Sequence, residues 1–290
     1  MSRTRAILAL LLAAAIWGAT FPLIKAALQD VTPLAFNALR FGLAALCLIP
    51  ALRRVPGPAF RAGLLLGVFL SVGFAVQTAG LQTTTPSRSA FLTALYAPFT
   101  PLVAVVLGGR RPNRWSIAAV VVALGGTVLL TGSYPEVGGA LSTGDWLTVA
   151  CAFCFAVQIV LIDRFGARYQ LGDLLVAQIF GAALVGLVLV PILEHPAVHW
   201  SPLLVVALAV EVGLATLLCL RLQLAGQKVV SPTEAAIIFA IEPVVAALAS
   251  RWALGERLTA VQWTGGSLIL LALVIPGLGK DKGGTAVTND

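Results

Sequence analysis

Charge is scarce in this sequence. Asp, Glu, Lys and Arg make up 11% of the 290 residues, against about 25% in an ordinary soluble domain, while hydrophobic residues reach 59%. A water-soluble domain of this size has too little interior to hide so much apolar surface, which excludes a single soluble core. The same hydrophobicity excludes intrinsic disorder. Acids are the rarer sign, 12 against 19 Lys and Arg. So basic a balance can mark a nucleic-acid partner, but these cations are diluted through an apolar chain. They read as charges at a membrane surface, and no nucleic acid is expected. Cysteine is sparse as well. Cys47, Cys151, Cys154 and Cys219 all fall inside apolar runs, which excludes a disulfide framework. No P-loop or dinucleotide fingerprint is present, which argues against direct drive by ATP and leaves no cofactor to expect. The composition is that of an all-α integral membrane protein.

A helix needs about 20 mostly apolar residues to cross the hydrocarbon. That ruler gives ten candidate spans, approximately 6–27, 32–52, 61–81, 87–108, 115–132, 143–163, 171–192, 202–222, 231–252 and 259–278. Turn and breaker residues separate them: Asp30, Pro33, Arg53-Arg54-Val55-Pro56-Gly57-Pro58, Thr85-Pro86-Ser87 and Arg110-Arg111-Pro112-Asn113. The first run, Ala6 to Ile24, is longer than a signal-peptide core and reads as a retained span. The tail after Gly279, 280–290, is small and polar and reads as disordered and cytoplasmic. With a cytoplasmic N-terminus, Arg3, Arg5, Arg53, Arg54, Arg61, Arg110, Arg111, Arg114, Arg164, Arg168, Lys228, Lys280 and Lys282 lie inside. Only Lys25, Arg88, Arg251 and Arg257 lie outside. This asymmetry predicts both termini in the cytoplasm.

The chain also repeats itself. Pro86-Ser87-Arg88-Ser89-Ala90 opens span four as Pro232-Thr233-Glu234-Ala235-Ala236 opens span nine. Pro98 answers Pro243, Leu107-Gly108-Gly109-Arg110 answers Leu254-Gly255-Glu256-Arg257, and Phe41-Gly42-Leu43-Ala44-Ala45 answers Phe180-Gly181-Ala182-Ala183-Leu184. The offset is roughly 140–147 residues, so two halves, 1–135 and 136–279, are expected with five spans each. Five is odd, so the second half enters the membrane upside down, the arrangement common to secondary transporters. The alternative is a duplication kept only for packing.

At this point the motifs resemble a known family. Trp17-Gly18-Ala19-Thr20-Phe21-Pro22 with Lys25, then Glu242-Pro243, Leu254-Gly255-Glu256-Arg257-Leu258 and Gln262-Trp263-Thr264-Gly265-Gly266, are similar to EamA-type members of the drug/metabolite transporter superfamily. The first copy departs from the pattern, with Gly109 where the second has Glu256. The resemblance implies ten spans in two inverted five-span copies and export of small metabolites across a bacterial inner membrane. Amino acids, aromatic ones and flat organic cations included, are the nearest substrate class it implies. Other relatives move nucleotide sugars, purine ribonucleosides or phosphorylated sugars.

Polar and aromatic groups inside the spans are the candidates for transport. Trp17 and Phe21 share a face of span one and form either an aromatic cavity wall or ordinary packing. Gln77 and Gln158 offer uncharged hydrogen-bonding groups to a cavity or to neighbouring helices, with Asn37 a weaker case. Tyr96 precedes Ala97-Pro98, and Glu242 precedes Pro243. Each proline removes a donor and frees the carbonyl four residues back, at Ala94 and Phe239; Pro101 does so at Ala97 and Pro22 at Gly18. Matched breaks of this kind point to a hinge, a site or a static kink. Arg40, Glu211, Arg221 and Glu242 are the charges read as buried. Glu242 is the leading carboxylate for a proton or a substrate ammonium, with a structural ion pair to Arg40 or another basic residue, or a structural hydrogen bond, as the alternative. Glu211 comes second, and Arg221 and Lys25 are expected to snorkel.

The small-residue patterns Gly63-x3-Gly67, Gly125-Gly126 and Gly265-Gly266 are expected to let helices approach closely, and the short fifth and tenth spans to join the halves or support a homodimer. His195 and His199, interrupted by Pro196, make no metal site, and Cys151-x2-Cys154 lacks a second pair. Asp145 has no second membrane aspartate to make a protease pair. No nucleophile, acid and base converge as an enzyme needs, and no ring of charge marks a channel. The expected cavity lies between spans one, three, four, six, eight and nine, lined by Trp17, Phe21, Gln77, Tyr96, Gln158 and Glu242. Its partners are a small-molecule substrate and the bilayer.

Overall fold

The computed structural model describes residues 1–107, 114–132 and 141–275. Its elements are α1 (Arg3–Ala27), α2 (Pro33–Leu52), α3 (Gly57–Gly80), α4 (Pro86–Thr93), α5 (Tyr96–Val106), α6 (Arg114–Gly132), α7 (Thr143–Gly166), α8 (Leu171–Leu193), α9 (Pro202–Val210), α10 (Cys219–Gln227), α11 (Pro232–Ile238), α12 (Glu242–Leu254) and α13 (Ala260–Val274). A π-helical stretch, Glu211–Leu218, joins α9 to α10, and a 3-10 turn, Phe239–Ile241, joins α11 to α12. Local chemistry sets the starts. Proline stands in the first turn of α2, α4, α9 and α11, where its missing N–H costs nothing. Ser142 with Asp145, Ser231 with Glu234 and Thr259 with Gln262 close capping boxes at α7, α11 and α13.

Among the described residues, eight rods are long and apolar enough to cross a membrane: α1, α2, α3, α4–α5, α7, α8, α9–α10 and α11–α12. The expected fifth and tenth spans fall on two shorter apolar stretches, Ile117–Leu130 within α6 and Ala260–Ala272 within α13. Gly108, Gly109, the separator Arg110-Arg111-Pro112-Asn113, Gly279, Lys280, Lys282 and the tail 280–290 lie outside the described residues. The surface is apolar where a soluble protein's is polar: Leu187 is 66% exposed and Trp252 89%, while Arg40, Gln178 and Glu211 are buried. Lipid solvates such a surface, and every interior polar group must then find a protein partner or a cavity.

Small residues set the helix spacing. A Cβ on Gly67 would meet the Gln178 carbonyl of α8 at 2.5 Å, and one on Gly126 would meet the Gly265 carbonyl at 2.6 Å. The glycine pairs thus bring α6 and α13 together within one chain. Gly18 of α1 lies so close to α12 that a Cβ would run into the Glu242 carbonyl oxygen. Backbone cannot rotate away as a side chain can. Gly18→Ala is therefore expected to cost about 1–3 kcal/mol through overpacking. A thermal-unfolding scan in detergent checks this, and a wild-type Tm would contradict the close approach.

The proline breaks have a shared geometry. Pro98 offers no N–H to Ala94, and the Ala94 carbonyl takes the Ala97 N–H instead, at 3.1 Å, where α4 gives way to α5. Pro243 offers none to Phe239, and the Phe239 carbonyl takes the Glu242 N–H, forming the 3-10 turn. In both, the donor is the residue just before proline. Pro22 and Pro101 differ from expectation: each lies inside an unbroken helix. A single missing bond leaves the rest of the ladder intact, and α12 seated on Gly18 braces the turn before Pro22.

One end of the bundle is densely tied. Lys25 does not simply snorkel: its Nζ donates to the carbonyls of Leu81, Gln82 and Thr84, just beyond the C-terminus of α3, where free carbonyls favour a cation. Arg88, expected at the surface, is buried and pairs with Asp145 at 2.5 Å. Asp145 also accepts from Thr84 Oγ1 at 2.8 Å. Packing of α4 on α7 removes this end from water, which its nearness to a loop does not reveal. Glu194 accepts from Leu34 and Ala35 at the start of α2, and Glu256 from Ser87 at the start of α4. The loop with His195 and His199 closes on the α1–α2 turn, through His199 N–H to the Asp30 carbonyl at 2.7 Å and the Val31–Val198 bridge. At the other end Arg3 pairs with Glu234 at 2.6 Å in an exposed contact.

Candidate functional site

A cavity opens among α1, α2, α3, α5, α7, the π stretch, α10, the 3-10 turn and α12. Trp17, Phe21, Gln77, Tyr96, Gln158 and Glu242 all line it, and so do Arg40 and Glu211. Pro22, Pro98 and Pro243 are not among the lining residues, although Pro98 stands two residues after Tyr96 and Pro243 directly follows Glu242. Asn37 also lies elsewhere. Its Nδ2 bonds the Pro33 and Phe74 carbonyls and ties α2 to α3.

One wall is aromatic. Trp17 and Phe239 meet edge-on with ring centroids 5.6 Å apart, and Tyr96 meets Phe239 at 6.4 Å and 85°. The Trp17 indole N–H donates to the Ala215 carbonyl at 2.8 Å, inside the π stretch. Phe74 and Phe155 stand 5.0 Å apart on another side.

The charges sort into two kinds. Arg40 and Glu211 form an ion pair at 2.8 Å with side chains 1% and 0% exposed. The guanidinium also donates from Nε to Thr216 Oγ1 at 2.7 Å and lies 4.2 Å from the Phe74 ring centroid. Its charge is spent within the protein. The expected alternative pairing of Arg40 with Glu242 is thus corrected: the π stretch turns Glu211 toward α2, and Glu211 takes the cation. Glu242 is left without a basic partner within 4 Å among the described residues, and Tyr96 donates its hydroxyl proton to Glu242 Oε2 across 3.4 Å.

The amides both line the cavity and tie helices. Gln77 Nε2 donates to Thr93 Oγ1 at 3.0 Å, and Gln223 Nε2 to Gln158 Oε1 at 3.1 Å. Among lining residues, Thr20, Phe74, Phe155, Gln223 and Phe239 escaped the reading of the sequence. Gln223 carried the signal that singled out Gln77, an amide inside an apolar run. Phe74 lies one turn before Gln77 on the same face of α3. Nothing in the sequence marks the π stretch, a form often found at functional sites.

The chain has clear relatives. The sequence profile of the EamA-like transporter family matches residues 4–132 and again 142–276. An "Uncharacterized transporter" of Archaeoglobus fulgidus is 30% identical over 96% of this chain and 87% of its own length. The "Uncharacterized inner membrane transporter YedA" of Escherichia coli is 26% identical over 91% of this chain and 88% of its own. A "Probable amino-acid metabolite efflux pump" of Escherichia coli is 31% identical, over 54% of this chain and 52% of its own. A solved crystal structure shares the fold with a TM-score of 0.70 at 20% identity, covering 96% of this chain and 98% of the other. Lipid-facing helices, a polar-lined cavity and two successive family matches lead to one conclusion: the chain belongs to the EamA-like transporter family of the drug/metabolite transporter superfamily and is a multi-pass membrane transporter.

Proposed function

We propose that this transporter is a secondary exporter of small amphipathic metabolites, amino acids above all and aromatic ones in particular, working by alternating access in a bacterial inner membrane. In this reading it has ten spans as two inverted five-span repeats, 1–135 and 136–279, with both termini cytoplasmic, and it is not an enzyme. One observation carries the substrate class: Glu242 stands in an aromatic-walled cavity with no basic partner among the described residues. A carboxylate so placed suits a ligand that brings its own cation, and Trp17, Phe239 and Tyr96 suit a flat apolar side chain. The name of the efflux pump relative points the same way. A carrier of nucleotide sugars or other phosphorylated metabolites would want a free cation in the cavity, and Arg40 is held by Glu211.

The packing supports the inverted repeat. Span three, α3, lies on α7 and α8 of the second half, as span eight, α9–α10, lies on α1 and α2 of the first. Spans four and nine carry the same proline-displaced bond. Bending at Pro98 and Pro243 would open one end and then the other.

The test is flux into proteoliposomes with labelled aromatic amino acids, a quaternary cation and a nucleotide sugar. Saturable aromatic amino-acid flux is expected, with half-saturation about tenfold to a hundredfold weaker in Trp17→Ala. Flux of the nucleotide sugar alone would overturn the reading.

A further inference from the structure

The cavity has more hydrogen-bond donors than it has free ones. The single protons of Trp17, Thr20 and Tyr96 go to the Ala215 carbonyl, the Trp17 carbonyl and Glu242. Arg40 is held by Thr216 and Glu211. Arg40 has further N–H groups beside these, but its charge is already matched, and uncharged spare capacity rests with the primary amides, each of which has two N–H groups and one acceptor oxygen.

Three of these form a ladder across α10, α7 and α8. Gln223 Nε2 donates to Gln158 Oε1 at 3.1 Å, and Gln158 Nε2 donates to Gln178 Oε1 at 3.5 Å. All three side chains are buried. The ladder is open at both ends: Gln223 Oε1 and Gln178 Nε2 are buried and have no hydrogen-bond partner among the described residues. A buried amide oxygen left unpaired is costly and asks for a partner. Turning over all three amides rebuilds both interhelical bonds in the reverse sense. Gln178 then donates to Gln158 and Gln158 to Gln223, so the outer edge of Gln223 changes from acceptor to donor with both N–H groups available. Gln223 is the end of the ladder that is open within the cavity lining, since Gln158 is held on both sides.

We propose that Gln223, backed by Gln158 and Gln178, is the subsite for the substrate's carboxylate and determines selectivity for amino acids over the corresponding amines. This inference rests on the amino-acid reading above. Glu242 takes the ammonium, the aromatic wall takes the side chain, and the turned amide of Gln223 donates to the carboxylate, a bond strengthened by the acceptor's charge.

The test compares flux of labelled phenylalanine and phenethylamine, which differ by the carboxylate, in proteoliposomes of wild type, Gln223→Leu and Gln223→Glu. Wild type is expected to favour phenylalanine. Gln223→Leu should lower phenylalanine flux about tenfold or more while keeping that of the amine, and Gln223→Glu should lower it further by repelling the carboxylate. Retained amine flux shows that each variant is folded. An unchanged preference in both variants, or an equal fall for both compounds in both variants, overturns the subsite and assigns the ladder to packing. Absence of saturable flux of either compound in wild type removes the amino-acid reading itself, a result distinct from either of these.

Discussion

Arg40→Met is expected to destabilise the protein by about 3–5 kcal/mol, because it leaves the Glu211 carboxylate buried without its cation. Both side chains are buried, 1% and 0% exposed, so the carboxylate has given up bulk water for the guanidinium. The cation over the Phe74 ring goes with it, as does the bond to Thr216. These contacts join α2 to α3 and to the π stretch, so their loss loosens three elements of the cavity wall together. The double variant Arg40→Met with Glu211→Leu should recover most of the loss, since a well-packed apolar pair of similar volume is often as stable as a buried ion pair. Thermal unfolding in detergent reads both. A single variant as stable as wild type would show that Arg40 is not the partner that holds Glu211. A double variant no better than the single would show that the volume, and not the charge, was lost.

Glu242→Gln is the second large effect. The substitution keeps the shape of the side chain and an acceptor for the Tyr96 hydroxyl, and it removes a carboxylate that has no basic partner within 4 Å among the described residues. A hydrogen bond to a charged group contributes about 1.5–3 kcal/mol, so half-saturation for amino acids should weaken by about ten- to a hundredfold, while a quaternary cation, which has no N–H to donate, should weaken through the lost charge attraction alone. A neutral aromatic analogue should be unaffected, because its binding rests on Trp17, Tyr96 and Phe239. If Glu242 also carries the coupling proton, accumulation driven by an imposed pH gradient disappears in the variant while exchange of loaded substrate continues. Wild-type affinity for the cation in Glu242→Gln would remove this residue from the substrate site.

The two results bear on different parts of the cavity. The Arg40–Glu211 pair holds the wall, whereas Glu242 has no basic partner within 4 Å among the described residues. Sequence reading placed all three within spans and took Arg40 and Glu242 as one potential pair. It had no means to choose between two glutamates for one arginine. The choice is made by the π stretch, which turns Glu211 inward, and by a contact between residues such as Arg40 and Thr216, 176 positions apart.

What could be read without coordinates was chemistry that is local in the chain. Apolar runs of bilayer length are written in composition, and the family motifs in short words such as Trp17-Gly18-Ala19-Thr20-Phe21-Pro22. The breaks before Pro98 and Pro243 follow from a missing N–H, a covalent fact, and both appear where that fact puts them. The same fact did not break α1 at Pro22, where a neighbouring helix braces the turn. Lys25 and Arg88 looked like surface charges because a loop was near, and they found fixed partners because helix ends from distant parts of the chain converge on them. Gln178 and Gln223 became one ladder with Gln158 only when α7, α8 and α10 came together. Burial and charge pairing are properties of neighbours in space. The order of residues sets which groups must find a partner, and the packing of the helices sets which partner each one finds.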